Sequence, residues 1–128
     1  LETVLPNAAM WADVDRRRIE QALTNLLANA HKFTPKGGHV RVTLERRNDE
    51  LLIAVADDGP GIPREHQVHL FQRFYVIPDG TGKAGLGLGL YIARQLVELH
   101  GGHVWVESSS RRGSTFFLAL PALKGANG

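Results

Sequence analysis

The order of the predicted elements indicates a two-layer α/β sandwich, in which three helices cover one face of a mixed, mostly antiparallel sheet of about five strands. Two observations predict this fold class. Short alternating or continuously apolar segments, typical of strands, occur in pairs at residues 39–56 and 103–120. Segments with helical periodicity separate them, so the order is strand, helix, two strands, two helices and two strands. With 128 residues, the chain has the length of one domain with its own core.

Composition excludes several classes of function. The chain has no cysteine, which rules out disulfides, thiolate metal sites and thiol nucleophiles and suits a reducing compartment such as the cytoplasm. Its apolar runs are far shorter than the roughly 20 residues of a membrane helix, so we expect no membrane contact. The formal charge is +2, and the arginines are scattered, so no nucleic-acid surface is predicted. Because the chain begins at Leu1, we expect a piece of a longer protein.

The first long helix carries an unusual polar stripe. A short hairpin is predicted at residues 3–5 and 8–12, and the helix follows at residues 16–33, with Asp13 or Asp15 as its N-cap. Its apolar side chains cover an arc of about 140° that faces the core. The polar residues along one edge of this arc are Gln21, Asn25, Asn29 and Lys32. Asparagine is unfavourable in mid-helix, so the stripe is either exposed to solvent or part of a half-buried site.

A carboxylate follows the next hairpin, at the end of an apolar strand. The hairpin spans residues 39–56, and residues 57–63 read DDGPGIP. Gly59 and Gly61 allow a tight turn or a close approach of the backbone to another molecule. Asp57 requires a donor, because an unpaired buried charge costs several kcal/mol. The donor comes either from the protein, with Asp57 capping the following segment, or from a ligand.

The second half of the chain contains a glycine-rich helix start. A helix is predicted at residues 63–74 and a loop at 76–84, and residues 85–90 (GLGLGL) lead into a helix that ends at Gly101. Glycines lower helix propensity, so we place these three at or before the first turn. Free N–H groups there attract phosphate, and a close helix contact is the alternative explanation. Two strands, at residues 103–108 and 114–120, and a polar tail at 122–128 complete the chain.

Four segments, in this order, resemble the N, G1, F and G2 boxes of the sensor histidine kinases. They are residues 25–34 (NLLANAHKFT), 57–62 (DDGPGI), 70–75 (LFQRFY) and 85–90 (GLGLGL), and residues 113–115 (GST) suit a late glycine box. The resemblance covers nearly the whole chain. It implies the Bergerat ATP-binding fold of the GHKL superfamily, with residues 1–128 as the catalytic and ATP-binding domain and a flexible ATP lid at about residues 75–87.

The resemblance also implies ATP and Mg²⁺ as cofactors and gives roles to the matching residues. Asp57 would accept a hydrogen bond from the adenine amino group, and Asn29 would offer its side-chain oxygen to Mg²⁺ as the metal ligand. Asn25 and Lys32 would act with Asn29 at the phosphates as the catalytic residues. The other residues that it implies at the nucleotide are Phe33, Gly59, Gly61, Ile62, Lys83, Gly85, Leu86, Gly87, Leu88, Gly89 and Thr115.

The implied activity is transfer of the γ-phosphoryl of ATP to a histidine on a separate dimerisation hairpin, with a response regulator as a further partner. ATP-hydrolysing members of the wider fold have a glutamate where Asn25 stands, and an amide cannot activate water. None of the six histidines precedes an acidic residue, as the family's acceptor does, so we expect the acceptor outside this chain. Val76 and Ile77 replace the more frequent basic residue of the lid. A degenerate nucleotide-binding or docking module and a serine kinase of the anti-sigma-factor type remain alternatives.

Overall fold

The computed structural model of the chain describes residues 2–4, 12, 14–77, 87–108 and 113–123. Five strands form one sheet in the order β1-β2-β3-β5-β4, and only β1 and β2 pair in parallel. The strands are β1 (Glu2–Val4), β2 (Val40–Arg47), β3 (Glu50–Asp57), β4 (His103–Ser108) and β5 (Ser114–Pro121). The described helices are α1 (Arg16–Phe33), α2 (Arg64–Gln67) and α3 (Gly89–Leu99). The predicted two-layer α/β fold with a mostly antiparallel sheet is confirmed.

Helix α1 has the bounds that the sequence predicts, because its ends are set locally. The Asp15 carboxylate accepts hydrogen bonds from the backbone N–H groups of Arg17, at 3.1 Å, and Arg18, at 3.4 Å. These bonds satisfy two of the donors that a helix N-terminus leaves free. The predicted apolar arc faces the core, where Leu26 is fully buried together with alanines on either side.

The sheet brings Asp57 to a central position at one of its ends. Asp57 is the last residue of β3, and it lies opposite Val40 of β2 on one side and Ser114 of β5 on the other. Phe116, Leu118 and other side chains of β5 pack with α1 and α3 in one core cluster. A carboxylate therefore lies at the edge of the hydrophobic core, as the sequence predicts.

Helices α1 and α3 run in opposite directions over the sheet. The backbone N–H of Asp15, at the start of α1, bonds to Nε2 of His100 at the end of α3. At the other end, Asn25 Nδ2 donates to the carbonyl oxygen of Gly89, the first residue of α3. Gly87 and Gly89 thus lie before and in the first helical turn, where their low helix propensity costs least.

Two predicted elements differ from the structure. The helix predicted at residues 63–74 is α2, of only four residues, followed by successive turns. Its apolar residues do not share a face, since Leu70 is buried while Val68 and Phe74 are 75% and 62% exposed. Phe74 also has a positive φ of 67°, which ends any helix. The strand predicted at residues 3–5 exists as β1, but its partner is β2, and residues 5–11 lie outside the described residues.

The part of the chain that the structure describes contains no helix with the length and apolar character needed to cross a bilayer. Most of the predicted lid, at residues 78–86, and the tail from residue 124 onward also lie outside the described residues. The same holds for Lys83, Gly85 and Leu86, so their predicted contacts with phosphate stay predictions.

Candidate functional site

A cleft of about 370 Å³ opens between α1, the start of α3 and the segment that follows α2. The edge of α1 with the predicted polar stripe forms one wall, and the glycine-rich helix start forms the opposite wall. The lining residues are Asn25, Ala28, Asn29, Lys32, Phe33, Leu70, Tyr75, Val76, Ile77, Gly87, Leu88, Gly89 and Leu90. Seven of the predicted site residues therefore meet around one cleft, although three of them are separated from the others by more than fifty positions.

Asn25 connects the two walls of this cleft. Its Oδ1 accepts a hydrogen bond from Gln21 Nε2 at 3.0 Å, and its Nδ2 donates to the Gly89 carbonyl oxygen at 3.1 Å. Only a side chain that both donates and accepts can make these two contacts. A glutamate at this position would instead oppose the Gly89 oxygen with a second acceptor. The amide thus fixes the start of α3 relative to α1.

Asn29, one helical turn further along α1, has a polar atom without a partner. Its Nδ2 is buried and makes no hydrogen bond, which costs about 1 to 3 kcal/mol in a folded protein. The side chain lines the cleft, so a ligand there with an acceptor group would remove this cost. Its amide oxygen is of the type that Mg²⁺ prefers. No group of three or more His, Cys, Asp or Glu side chains suited to a metal occurs among the described residues, so Mg²⁺ at Asn29 would need additional oxygen ligands.

Lys32 and Phe33 complete the α1 wall. The Lys32 side chain is exposed, and its Nζ lies 5.6 Å from the centroid of the Phe33 ring, which is a cation–π distance. The aromatic ring thus holds a positive charge at the side of the cleft. Arg73 lies over the ring of Phe74 instead, at 5.2 Å, and does not line the cleft.

Asp57 shows the same incomplete pairing as Asn29. Its side chain is buried, with 6% of the residue exposed, and its Oδ1 accepts a hydrogen bond from the Gly59 N–H at 2.8 Å. Its Oδ2 is buried without any partner. Burial raises the pKa of this carboxyl above its ordinary value, although the backbone amides of Gly59 and Ser114 act in the opposite direction. The hydrogen bond from Gly59 thus satisfies one oxygen of the Asp57 carboxylate and leaves the other without a partner.

The turn after Asp57 lies beside the cleft and does not line it. Asp57, Gly59, Gly61, Ile62 and Thr115, five predicted site residues, are absent from the cleft wall. The connection is made at Phe33, because a Cβ on Gly59 would come within 2.7 Å of the Phe33 carbonyl oxygen. The predicted site therefore has two parts, which meet at the end of α1.

Three of these five residues occupy defined places in the fold itself, and the sequence predicted this only for Gly61 in its tight turn. Gly61 has a φ of 83°, so the turn requires glycine there. Ile62 is buried in the core, and its backbone is held by side chains from two other segments. Thr115 lies opposite Ala56 in the β3–β5 pair and is partly buried, one position beyond Ser114.

The sequence interpretation missed most of the apolar wall. Tyr75 and Leu70 line the cleft, whereas aromatic and apolar residues near a short helix are usually assigned to core packing. The Tyr75 hydroxyl forms a hydrogen bond with His66 Nδ1, and the centroid of the Tyr75 ring lies 5.3 Å from that of the His69 ring. Val76 and Ile77, which differ from the family's lid pattern, also line the cleft. Their contribution to the wall depends on the turns after α2, which the sequence did not predict.

A backbone contact joins Phe74 to Gly87, thirteen positions further along the chain. The Phe74 N–H donates to the Gly87 carbonyl oxygen at 2.8 Å. A Cβ on Gly87 would lie 2.6 Å from the Phe74 carbonyl carbon, and Gly87 has a φ of 73°. Glycine is therefore required there for both reasons.

The fold is that of solved histidine kinase catalytic domains. The mycobacterial sensor histidine kinase MprB matches with a TM-score of 0.85 and 30% identity, over 94% of this chain and 82% of that one. The model of the family described as "Histidine kinase-, DNA gyrase B-, and HSP90-like ATPase" matches residues 14–124. The chain therefore belongs to this family, and the resemblance drawn from its four sequence boxes is confirmed.

Named relatives agree with this assignment. The sensor histidine kinase WalK of Bacillus subtilis (strain 168) is 37% identical over 91% of this chain and 20% of its own length. The circadian input-output histidine kinase CikA of Thermosynechococcus vestitus is 47% identical over 88% of this chain and 16% of its own length. Both of these relatives are named histidine kinases. The chain spans a fifth or less of the length of these two curated relatives.

Proposed function

We propose that this chain is the ATP-binding catalytic domain of a two-component sensor histidine kinase, which binds Mg-ATP and donates the γ-phosphoryl group to a histidine on a separate dimerisation hairpin. One observation carries the proposal. Three buried side-chain polar atoms of the described residues lack a hydrogen-bond partner, and two of them are Asn29 Nδ2 and Asp57 Oδ2. These atoms belong to the two residues that the resemblance assigns to opposite ends of the nucleotide.

At the Asp57 end, the free carboxylate oxygen suits adenine. The exocyclic amino group of adenine is a donor, whereas guanine carries an acceptor oxygen at the corresponding position. A second acceptor facing Oδ2 would leave both groups unpaired in a buried place, which disfavours guanine. Ile62 and Phe33 are the apolar residues adjacent to this end, and we assign them to the faces of the base.

At the cleft end, the walls suit a triphosphate. Lys32 contributes a positive charge, and the N-terminus of α3 contributes backbone N–H groups and the positive end of the helix dipole. We assign these N–H groups, from Gly87 onward, to the phosphate oxygens. Mg²⁺ bound at Asn29 would neutralise the charge that develops on these oxygens. The described residues would thereby orient the γ-phosphoryl group for attack by an acceptor.

Asn25 favours transfer over hydrolysis. A general base must accept a proton from water, and an amide has no such capacity near neutral pH. The Asn25 amide is also already bonded to Gln21 and to the Gly89 carbonyl. Following the family resemblance, we assign the nucleophile to a histidine of the longer protein, and a response regulator would receive the phosphoryl group next. We place the domain in the cytoplasm, where ATP is abundant and a chain without cysteine needs no oxidising environment.

The test combines the chain with γ-labelled ATP, Mg²⁺ and a dimeric helical hairpin that carries the acceptor histidine. We expect label on the hairpin, stable in base and lost in acid, and none when the hairpin is omitted. Acid-stable label on a serine would support the anti-sigma-factor type of kinase instead. Nucleotide binding without any transfer would support a docking module, and absence of nucleotide binding would contradict the proposal as a whole.

A further inference from the structure

We propose that Ser108 and Gln67 are positioning residues for the base-binding end of the site, which they fix by holding both backbone groups of Ile62. The inference rests on the proposed function, because it assigns a role in nucleotide recognition to residues that touch neither the cleft nor Asp57. Neither residue belongs to one of the four sequence boxes. We use the term clamp below for Ser108, Gln67 and their contacts to Ile62.

In the clamp, side chains make the hydrogen bonds to the Ile62 backbone that a neighbouring strand would make within the sheet. The Ile62 N–H donates to Ser108 Oγ at 2.7 Å, and the Ile62 carbonyl oxygen accepts from Gln67 Nε2 at 2.7 Å. Gln67 Nε2 is also 3.3 Å from the Ser108 carbonyl oxygen, so its amide group joins both partners. Ile62 lies beyond the end of β3 and is buried, so both of its backbone groups need such partners.

Every hydrogen of the clamp has an acceptor. Ser108 Oγ lies 3.0 Å from the Gly113 carbonyl oxygen and 2.9 Å from Ser114 Oγ. A hydroxyl donates one hydrogen and accepts two. Ser108 therefore donates to Gly113 and accepts from Ile62 and from the Ser114 hydroxyl, which uses its full capacity. A network in which every member is satisfied is rigid, and loss of one member leaves buried groups unpaired.

Through these contacts the clamp closes a ring around the Asp57 carboxylate. Ser114 lies opposite Asp57 in the β3–β5 pair, and a hydrogen bond from its backbone amide lowers the pKa of the Asp57 carboxyl. A Cβ on Gly113 would lie 1.9 Å from the Asp57 carbonyl oxygen. The residue that precedes β5 therefore packs directly against the Asp57 backbone. The turn runs from Asp57 to Ile62, Ser108 connects Ile62 to Ser114, and Ser114 lies opposite Asp57. Asp57 is thus part of a closed ring of contacts that fixes the position of its carboxylate.

The start of the same turn is held separately. The Asp58 N–H donates to the His39 carbonyl oxygen at 3.2 Å, and the His39 N–H donates to Asp58 Oδ2 at 2.9 Å. These contacts connect the turn to β2, whereas the clamp connects it to β4 and β5. Removal of the clamp therefore frees the Ile62 half of the turn and leaves the Asp58 half attached. We expect an effect on the fit of the base in a fold that is less stable but retained.

The experiment compares two ligands by calorimetric titration: a non-hydrolysable ATP analogue, and tripolyphosphate, which lacks the base. The variants are Ser108→Ala, Gln67→Leu and the conservative Ser108→Thr, which keeps the hydroxyl. Thr24→Ala on α1 and Gln95→Leu on α3 change exposed side chains outside the site and serve as matched controls. We expect about 10-fold weaker binding of the ATP analogue for Ser108→Ala and Gln67→Leu, and parent-like affinity for Ser108→Thr and both controls.

Tripolyphosphate distinguishes positioning from a general structural role. Its affinity should stay within about twofold of the parent in every variant, because the clamp acts on the base-binding end and not on the cleft. Equal weakening of both ligands would overturn the proposal, since it would mean a general loss of structure. Affinity of the ATP analogue within twofold of the parent in both Ser108→Ala and Gln67→Leu would overturn it as well.

Amide hydrogen exchange without nucleotide separates failure of this proposal from failure of the proposed function. If the parent chain binds no ATP analogue, the proposed function fails and the exchange of the Ile62 N–H then decides the clamp. We expect this amide to be protected in the parent and about 10-fold less protected in Ser108→Ala. Unchanged protection would refute the clamp. Should Ser108→Ala fail to fold, the titrations of Gln67→Leu, compared with Ser108→Thr and the unsubstituted chain, carry the test, and an unchanged affinity of Gln67→Leu for the ATP analogue would refute the clamp.

Discussion

Beside Asp57, the backbone at Gly59 and Gly113 is packed too closely for a Cβ, whereas Gly89, at the start of α3 in the cleft wall, faces open space. Gly87, before it in the same wall, is packed against another segment. A Cβ on Gly113 or Gly59 would lie 1.9 or 2.7 Å from a carbonyl oxygen, while a Cβ on Gly89 would meet no atom within 4 Å. The backbone at the Asp57 end is therefore fixed by packing within the protein, although Asp57 Oδ2 lacks a partner there. The cleft end has room for a ligand and presents Asn29 Nδ2 without a partner.

This difference suits two separate tasks, recognition of the base at the Asp57 end and binding of the triphosphate in the cleft. A base is flat and has fixed donors and acceptors, so a rigid frame recognises it at the lowest entropic cost. A triphosphate with a metal ion is flexible and must change during transfer, so a wall with free polar groups suits it better. The predictions below test this division, beginning with the largest expected effect.

Gly113→Ala should be the most damaging single substitution at the Asp57 end. The added Cβ would meet the Asp57 carbonyl oxygen, and the φ of 78° is unfavourable for alanine as well. We expect a loss of about 3 kcal/mol or more in the free energy of unfolding, measured by urea denaturation. A loss below about 1 kcal/mol would mean that β5 can move away from Asp57, and the rigid frame would not exist.

Asp57→Asn should separate binding from stability. The amide retains an acceptor for the Gly59 N–H, but its buried Nδ2 would face the adenine amino group, donor against donor. We expect about 100-fold weaker binding of an ATP analogue, close to 3 kcal/mol, by calorimetric titration. The melting temperature at pH 7 should not fall, because the substitution removes a buried charge. Unchanged affinity would contradict the assignment of Asp57 to the base.

The stability of the unsubstituted chain should depend on pH in a way that the stability of Asp57→Asn does not. Burial raises the pKa of Asp57 in the folded state, so the folded protein holds this proton more tightly than the unfolded chain does. Stability from this group is therefore lost as pH rises from the ordinary pKa of an aspartate through the raised pKa. Relative to Asp57→Asn, the parent should gain stability as pH is lowered through that window. A constant difference in melting temperature between the two proteins would contradict the raised pKa.

Asn29→Ala probes the open part of the site. Its Nδ2 has no partner in the protein, so we expect no loss in the free energy of unfolding from a broken hydrogen bond. Binding of the ATP analogue with Mg²⁺ should weaken about 10-fold, whereas binding with a chelator present should change much less. Titrations under both conditions provide the comparison. An equal effect with and without Mg²⁺ would remove Asn29 from the metal site.

The sequence predicted those parts of the molecule that are specified by neighbouring residues. Asp15 and the proline after α1 define that helix, and the alternation in β2 and β3 defines their hairpin. The helix predicted at residues 63–74 was placed correctly but made too long, because the end of that segment is shaped by a contact between Phe74 and Gly87, thirteen positions apart. Parallel pairing of β1 with β2 is likewise a contact across α1 that no local pattern encodes.

The same distinction applies to the site. Seven of the predicted residues line the cleft, because the two family boxes that contain them lie on α1 and at the start of α3. Ser108 and Gln67 carry no such signal, since a serine in a strand and a glutamine in a short helix are common on any surface. Their role becomes visible only when the fold brings both of them to Ile62.

Gly89→Ala should have the smallest effect and is the counterpart of Gly113→Ala. Its Cβ would point into open space, and alanine is a better helix former than glycine by up to about 1 kcal/mol. We expect the free energy of unfolding, measured by urea denaturation, to rise by about 0.5 kcal/mol. Tripolyphosphate should bind no more tightly than it does to the unsubstituted chain. If the two glycine variants destabilised the protein equally, the start of α3 would be as closely packed as the Asp57 end. Opposite signs for the two would establish that one chain combines a rigid base-binding end with an open phosphate wall.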